Sequence, residues 1–320
     1  MMKDLIVTQN LTKMYGDKAA VSSIDMHVKQ GDIYGFIGRN GSGKSTTLKM
    51  LCGLAFPTQG SIRVFGQSLS QESVRKRIGV LIESPGLEPG RSAYENMYLK
   101  ASLMGIVDPD KEIRELLTLT GLNPDNKKLV KRYSMGMKQR LGIAMALLGG
   151  PDLLILDEPI NGLDPEGMNQ LRSILVELNQ KKGVTMIVSS HILGELSKMA
   201  TRYGIIKDGC LVKEISREEL AAECKDYLYL KTADAKMAAV LLEEKLGIQN
   251  YEVRPEGEIR IYQNADPGQI TTVMSSAGIP VYAIYGHQQD LEGYFLDLMG
   301  KEEKTNFFKG SSKKGGRRHA

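Results

Sequence analysis

The sequence predicts an α/β protein with a largely parallel sheet and a helical subdomain, followed by a small α+β domain. Three observations predict it. Short, largely apolar runs at 33–37, 153–156 and 184–189 alternate with stretches of helical period, as strands buried on both faces alternate with crossover helices. A glycine-rich stretch, 38–46, joins the first of those runs to a helix. Near residue 218 the pattern changes to β-α-β-β-α-β, the ferredoxin-like order.

Taken in order, Leu5, Ile6 and Val7 open a strand, and Ile24, Met26 and Val28 alternate with polar residues in a second. After the strand at 33–37 and the glycine-rich loop, Leu48, Met50 and Leu51 mark a helix over 47–53. Strands follow at 61–66 and 78–83, with a polar segment between them. From 92 to 121 the period is helical: Tyr94, Met97, Tyr98, Ala101 and Met104 recur at steps of three or four. This block, with the helix that Ile143, Ala144, Leu147 and Leu148 define, reads as a helical subdomain over about 90–150. A strand at 153–156, a helix over 166–182 and a strand at 184–189 complete a first domain, 1–218, with ligands expected at the strand C-termini. Beyond it the strands fall at 226–231, 251–254, 258–262 and 281–285, and the helices at 235–246, 268–277 and 291–299. This second domain, 219–300, holds no catalytic constellation and reads as a regulatory or interface domain.

Bulk properties exclude several classes. Apolar content of 42% and charged content of 25% are those of an ordinary globular protein. The net charge of +4 lies in the tail, because residues 301–320 carry seven Lys and Arg against Glu302 and Glu303. The folded body is therefore not basic, and no specific nucleic-acid partner is expected. The tail reads as a solvated, disordered end. Cys52, Cys210 and Cys224 have no metal-ligand spacing and fit buried thiols in a reducing compartment. No run of 18 apolar residues exists, so a membrane role requires a partner chain.

The chemistry centres on Gly38-Arg39-Asn40-Gly41-Ser42-Gly43-Lys44-Ser45-Thr46, which fits the phosphate-loop pattern in its strand–loop–helix setting. Its glycines let successive N–H groups turn inward around a phosphate, and the new helix aims its positive end at the same place. Lys44 is expected to reach the β- and γ-phosphates and Ser45 to ligate Mg²⁺. Asp157 closes an apolar strand, where its carboxylate can hold Mg²⁺ directly or through water. Glu158 projects elsewhere and is expected to act as general base on the attacking water, or to polarise it. Tyr15 either stacks on a nucleobase or is a half-buried tyrosine at a strand end.

These features, with a Ser-x-Gly helix start at Ser134 and Gly136 and a strand followed by His191, stand in an order that resembles the ATP-binding-cassette ATPases over roughly residues 4–215. The resemblance implies the P-loop NTPase fold of that family and a head-to-tail homodimer with two ATP molecules between the subunits. It implies that His191 is the switch histidine at the γ-phosphate and that Asp164 lies in the loop communicating between the sites. Ser134 and Gly136 are then the remnant of the family signature, donating to the nucleotide of the opposite subunit. Two departures stand out. The signature pair of glycines is reduced to Gly136 between Met135 and Met137, and Glu83 stands where the family has glutamine. A carboxylate binds Mg²⁺ better than an amide but repels a bare phosphate, so Glu83 is a candidate catalytic residue and metal ligand, or else a solvated loop acid.

Glu83 and the Ser-Met-Gly-Met-Lys signature, in a single-cassette chain with a small second domain, resemble the ATPase subunits of bacterial bacitracin- and lantibiotic-type peptide exporters. The implied function is an ATPase with ATP and Mg²⁺ as ligands. It drives a separate transmembrane permease from the cytoplasmic face of the cell membrane, in antimicrobial-peptide resistance or immunity. The competing reading is a soluble cassette machine acting in translation or on DNA.

Overall fold

A computed structural model of the chain describes residues 3–224, 226–287 and 293–295. It divides into two compact units, Met1–Arg217 and Glu218–Ala320. The tail at 301–320 and most of the helix expected at 291–299 lie outside the described residues.

The first unit is built on two sheets. β1 (Asp4–Tyr15) pairs antiparallel with β2 (Lys18–Ile24) and with β3 (His27–Lys29). The strand that Leu5, Ile6 and Val7 open continues to Tyr15, where cross-strand pairing with β2 carries residues 11–15. The single strand expected from Ile24 to Val28 is instead two, β2 and β3. β4 (Ile33–Ile37) is buried at every residue, and α1 (Lys44–Leu51) leaves the loop after it. β5 (Gln59–Val64) and β6 (Gln67–Ser68) extend the antiparallel sheet in the order β2-β1-β5-β6. The polar segment beyond them holds a short helix, α2 (Glu72–Arg75).

β7 (Ile78–Leu81) leads to the helical block. Ser92 and Glu95 form a reciprocal capping box that starts α3 (Ala93–Met104), and Gly105 ends it with φ +71°. α4 (Asp110–Leu119) and α5 (Met135–Leu147) complete the block. A Cβ placed on Gly79 of β7 would stand 2.0 Å from the Ala146 carbonyl, and one on Gly142 of α5 would stand 2.6 Å from Pro85. Only glycine lets the helix lie so close to the strand and the loop after it.

β8 (Leu153–Asp157), α6 (Pro165–Lys182), β9 (Thr185–Ser190), α7 (Leu193–Leu196), β10 (Arg202–Lys207) and β11 (Cys210–Ser216) finish the unit. The second sheet has the order β11-β10-β4-β9-β8-β7. All neighbours from β10 to β7 are parallel, and β11 is an antiparallel edge. β4, β8 and β9 are buried throughout, which is why they read as apolar runs. Their C-terminal ends share one edge of the sheet, so residues 38, 157 and 191 begin as neighbours. Cys52 is buried, but Cys210 is exposed, against the expectation of buried thiols throughout.

α8 (Arg217–Glu223) starts on the last residue of the first unit, and the second unit then runs β12 (Tyr227–Thr232), α9 (Ala235–Leu246), β13 (Tyr251–Arg254), β14 (Glu258–Ile261), α10 (Pro267–Ser276) and β15 (Val281–His287). Its four strands form an antiparallel sheet in the order β13-β14-β12-β15. Leu230, Leu242, Ile259 and Met274 lie at the centre of a core separate from that of the first unit.

Candidate active site

The glycine-rich loop begins as β4 leaves the sheet. Ser42 N–H donates to Arg39 O (3.1 Å), and Gly209 N–H donates to Ser42 O (2.9 Å), pinning the loop to the turn between β10 and β11. Gly43 caps α1 with φ +105°, a conformation strained for any residue with a Cβ. A Cβ on Gly38 would meet Ser42 Oγ at 2.5 Å, so the loop closes on itself through that glycine. α1 starts at Lys44, three residues earlier than the apolar pattern indicates, so Lys44, Ser45 and Thr46 form its first turn. Asn40 and Gly41 are exposed at the loop tip, and Arg39 is half-buried. Ser42 Oγ is buried and has no hydrogen-bond partner. A buried hydroxyl donor left open beside a ring of amides fits an anion that the loop is shaped to receive.

Lys44 is 5% exposed and folds back on the loop, donating to Gly38 O (2.7 Å) and Arg39 O (3.1 Å). Burial lowers its pKa, against the raising influence of Glu158 and Asp157. Its ammonium lies 3.6 Å from Glu158 Oε1. That oxygen accepts no hydrogen bond, while Oε2 is 2.7 Å from His191 Nδ1. Glu158 thus stands between Lys44 and His191, at a backbone φ of +49°. Asp157 is buried at the end of β8 and in register with Ser189 of β9. The Ser189 hydroxyl donates to Asp157 Oδ1 (2.5 Å) and accepts from Glu158 N–H (2.9 Å), fixing both acids at once. Sequence reasoning missed Ser189; the signal was its place opposite Asp157 in two parallel apolar strands.

Among the described residues no cluster of three His, Cys, Asp or Glu side chains surrounds a metal position. A Mg²⁺ ion held by Ser45, Asp157 and phosphate oxygens suits this chain, since that ion is commonly bound through one or two carboxylates plus substrate phosphates. Glu83 follows β7 at the same sheet edge. Its φ is +62°, and Ser84 N–H donates to Ile82 O (2.8 Å), closing a γ-turn of the rare positive-φ kind. Glu83 is 67% exposed and pairs with Lys49 Nζ at 2.5 Å, a partner that sequence reasoning did not supply. Tyr15 is 54% exposed at the end of β1, with the Lys13 ammonium 5.0 Å from its ring centre.

Ser134 and Asp164 are both N-cap residues: Ser134 accepts from Met137 N–H (3.3 Å), and Asp164 from Gly167 N–H (3.1 Å). With Gly136 they line an open pocket of about 460 Å³ bounded by 134–140 and 162–170. That pocket includes none of residues 38–46, 157, 158 or 191. The chain therefore gathers the phosphate loop and its acids in one place and the Ser-x-Gly helix start in another.

Residues 21–161 match the family model for the ABC transporter. The chain is 42% identical over 302 residues to the bacitracin transport ATP-binding protein BcrA of Bacillus licheniformis, covering 93% of this chain and 98% of that protein. It is 43% identical over 210 residues to the lantibiotic transport ATP-binding protein SrtF of Streptococcus pyogenes, covering 66% of this chain and 90% of that protein. Among solved structures, one is a dimeric ATP-binding cassette in a post-hydrolysis state bound to ADP and Pi. It superposes with a TM-score of 0.61 at 25% identity, covering 66% of this chain and 98% of that one. The structure of an ATP-binding subunit of an ABC transporter gives 0.61 at 29% identity, covering 68% and 92%. The 302-residue alignment extends into the second unit.

Proposed function

We propose, for a chain that belongs to the ABC transporter ATP-binding proteins, that it is the ATPase subunit of an exporter for bacitracin- or lantibiotic-type peptides and works as a homodimer with a separate membrane permease. The observation that carries the dimer is the separation just described. The phosphate loop of one chain lacks the Ser134–Gly136 helix start, which faces an open pocket elsewhere on the same chain. A second copy, placed head to tail, supplies it.

The mechanism follows from the side chains. The loop amides and Ser42 hold the phosphates, and Lys44 transfers to them the donors it now gives to Gly38 and Arg39. Tyr15 offers an exposed face for the base. Ser45 and Asp157 would hold Mg²⁺, which would supply charge neutralisation at the β- and γ-phosphates. Glu158 takes the proton of the water attacking the γ-phosphorus, and the bond to the β,γ-bridging oxygen breaks, leaving ADP and phosphate. His191, bonded to Glu158 Oε2, keeps that carboxylate turned toward the site. Asp164 and the Ser134–Gly136 segment respond to the opposite nucleotide. ATP closes the dimer and hydrolysis reopens it, a ligand-driven population shift.

Two features support a permease partner. No described helix is long and apolar enough to cross a membrane. The helical block presents Tyr98, Leu99, Leu103 and Val107 to solvent on α3 and the turn after it. The loop leading from Glu83 is tied to that helix by Asn96, which accepts from Glu88 N–H (2.7 Å) and donates to Glu88 O (3.1 Å). We assign the cassette to 1–218, with its helical subdomain at about 90–150, and a second domain to 219–300. The strand order of the second domain supports a ferredoxin-like class. The permease contact sets the location at the cytoplasmic membrane face.

The test is affinity purification from native membranes with ATP and Mg²⁺, comparing wild type with Glu158→Gln. Recovery of a multi-span membrane protein, with the variant held as an ATP-bound dimer, is the expected result. Recovery only from the soluble fraction, with ribosomes or nucleic acid, refutes the transporter reading.

A further inference from the structure

Glu83 brings a negative charge to a site meant for a polyanion, and α1 answers it. Lys49, in the last turn of the helix, places its ammonium 2.5 Å from Glu83 Oε1. Lys44 and Lys49 stand five residues apart on α1, so their side chains leave the helix on different sides. Lys44 serves the phosphate loop, and Lys49 serves the loop after β7. The Glu83 backbone is held in a strained γ-turn, so its side chain has a defined origin from which to choose a partner.

We propose that Lys49 is the positioning residue for Glu83: its ammonium holds the carboxylate against α1 while no metal is bound, and Mg²⁺–nucleotide must draw Glu83 away from it. The inference rests on Glu83 acting at the nucleotide site. Two consequences of opposite sign follow. With the ion pair intact, the carboxylate is neutralised and repels free ATP little. It is also less available to the metal. Without Lys49 the carboxylate repels metal-free ATP but meets Mg²⁺ unopposed. A lysine that merely stabilised the C-terminal turn of α1 would shift both in one direction.

The experiment uses the full chain and four variants: Lys49→Met, Lys49→Arg, Glu83→Gln, and Lys49→Met combined with Glu83→Gln. A fluorescent ATP analogue reports affinity in EDTA, and a Mg²⁺ titration at fixed analogue reports the metal midpoint. The size of an exposed ion pair sets the scale. Lys49→Met is expected to weaken metal-free binding about three- to fivefold and to lower the Mg²⁺ midpoint by a similar factor. Both changes disappear in the Glu83→Gln background, and Lys49→Arg retains wild-type values. If Lys49→Met weakens binding and raises the midpoint together, or acts equally with Gln at position 83, the inference about Lys49 is overturned while the role of Glu83 stands. If Glu83→Gln alone leaves metal midpoint and nucleotide affinity unchanged, the role of Glu83 falls and the inference falls with it.

Discussion

Replacing Ser189 with alanine removes one oxygen and two hydrogen bonds. The hydroxyl donates to Asp157 Oδ1 at 2.5 Å and accepts from Glu158 N–H at 2.9 Å, and Ser189 is fully buried. A bond to a buried carboxylate is worth about 1.5–3 kcal/mol and a neutral bond about 1 kcal/mol, so the loss is about 2–4 kcal/mol. For a unit of about 200 residues this lowers the melting temperature by about 5–12 °C. Ser190, next along β9, is an internal reference. Its Oγ accepts one neutral bond, from Ile192 N–H at 2.9 Å, so Ser190→Ala should cost about 1 kcal/mol. The chain has no tryptophan, so unfolding is followed by far-ultraviolet circular dichroism. The transition of the cassette is the one that ATP and Mg²⁺ raise, by linkage. In Ser189→Ala that ligand-induced rise should also shrink, because Asp157 and the left-handed backbone at Glu158 lose their common anchor. Equal costs for the two serines, with an undiminished rise, would refute the view that Ser189 organises the acid pair.

Three further outcomes follow from the same geometry. Tyr15→Ala should weaken ATP and GTP alike, by about 1–3 kcal/mol of lost stacking, and Tyr15→Phe should not; a fluorescent-nucleotide titration reads this. Chelating Mg²⁺ should abolish phosphate release while the nucleotide remains bound to the loop amides and Lys44, as equilibrium dialysis would measure. Glu195 ties α7 to α6 through Arg172 (2.5 Å) and also pairs with Lys198 (2.6 Å). Burial alone would raise its pKa, but the Lys198 hydrogen bond and the Arg172 charge outweigh that and hold it below the ordinary 4.5. Its contribution is thus complete above about pH 4.5 and is lost as pH falls through the lower folded value, so Glu195→Gln should flatten the acid limb of the stability curve.

The sequence makes the phosphate loop and the Asp157–Glu158 pair legible because their neighbours are strands buried on both faces, which write themselves as apolar runs. The helix over 235–246 and the strand over 251–254 are read to the residue for a related reason, since Asp234, Gly247 and the apolar spacing punctuate them. What stays hidden depends on placement. β10 and β11 pass unassigned although Tyr203–Ile206 is buried, because Gly204 interrupts a short run. Its absent Cβ leaves room for the ring of Tyr34 on the neighbouring strand. Ser189, Asn96 and Lys49 are ordinary residue types whose roles arise only when another element arrives beside them. Tyr15 is the intermediate case: its type suggested stacking, and its exposure was decided by how far β1 runs.

The two glycine contacts on α5 carry a mechanical consequence. Gly79 brings β7 onto the Ala146 carbonyl, and Gly142 admits Pro85, with no spare volume at either point. A close-packed contact has little compliance and passes on displacement instead of absorbing it. The turn that carries Glu83 lies between those contacts, and Ser134 caps the far end of the same helix. A push delivered to the 84–91 loop therefore arrives at Ser134 as movement of a rod, with no soft joint between. In the head-to-tail dimer proposed above, load applied at one nucleotide would be handed through α5 to the other, along a path whose stiffness is set by two missing methyl groups.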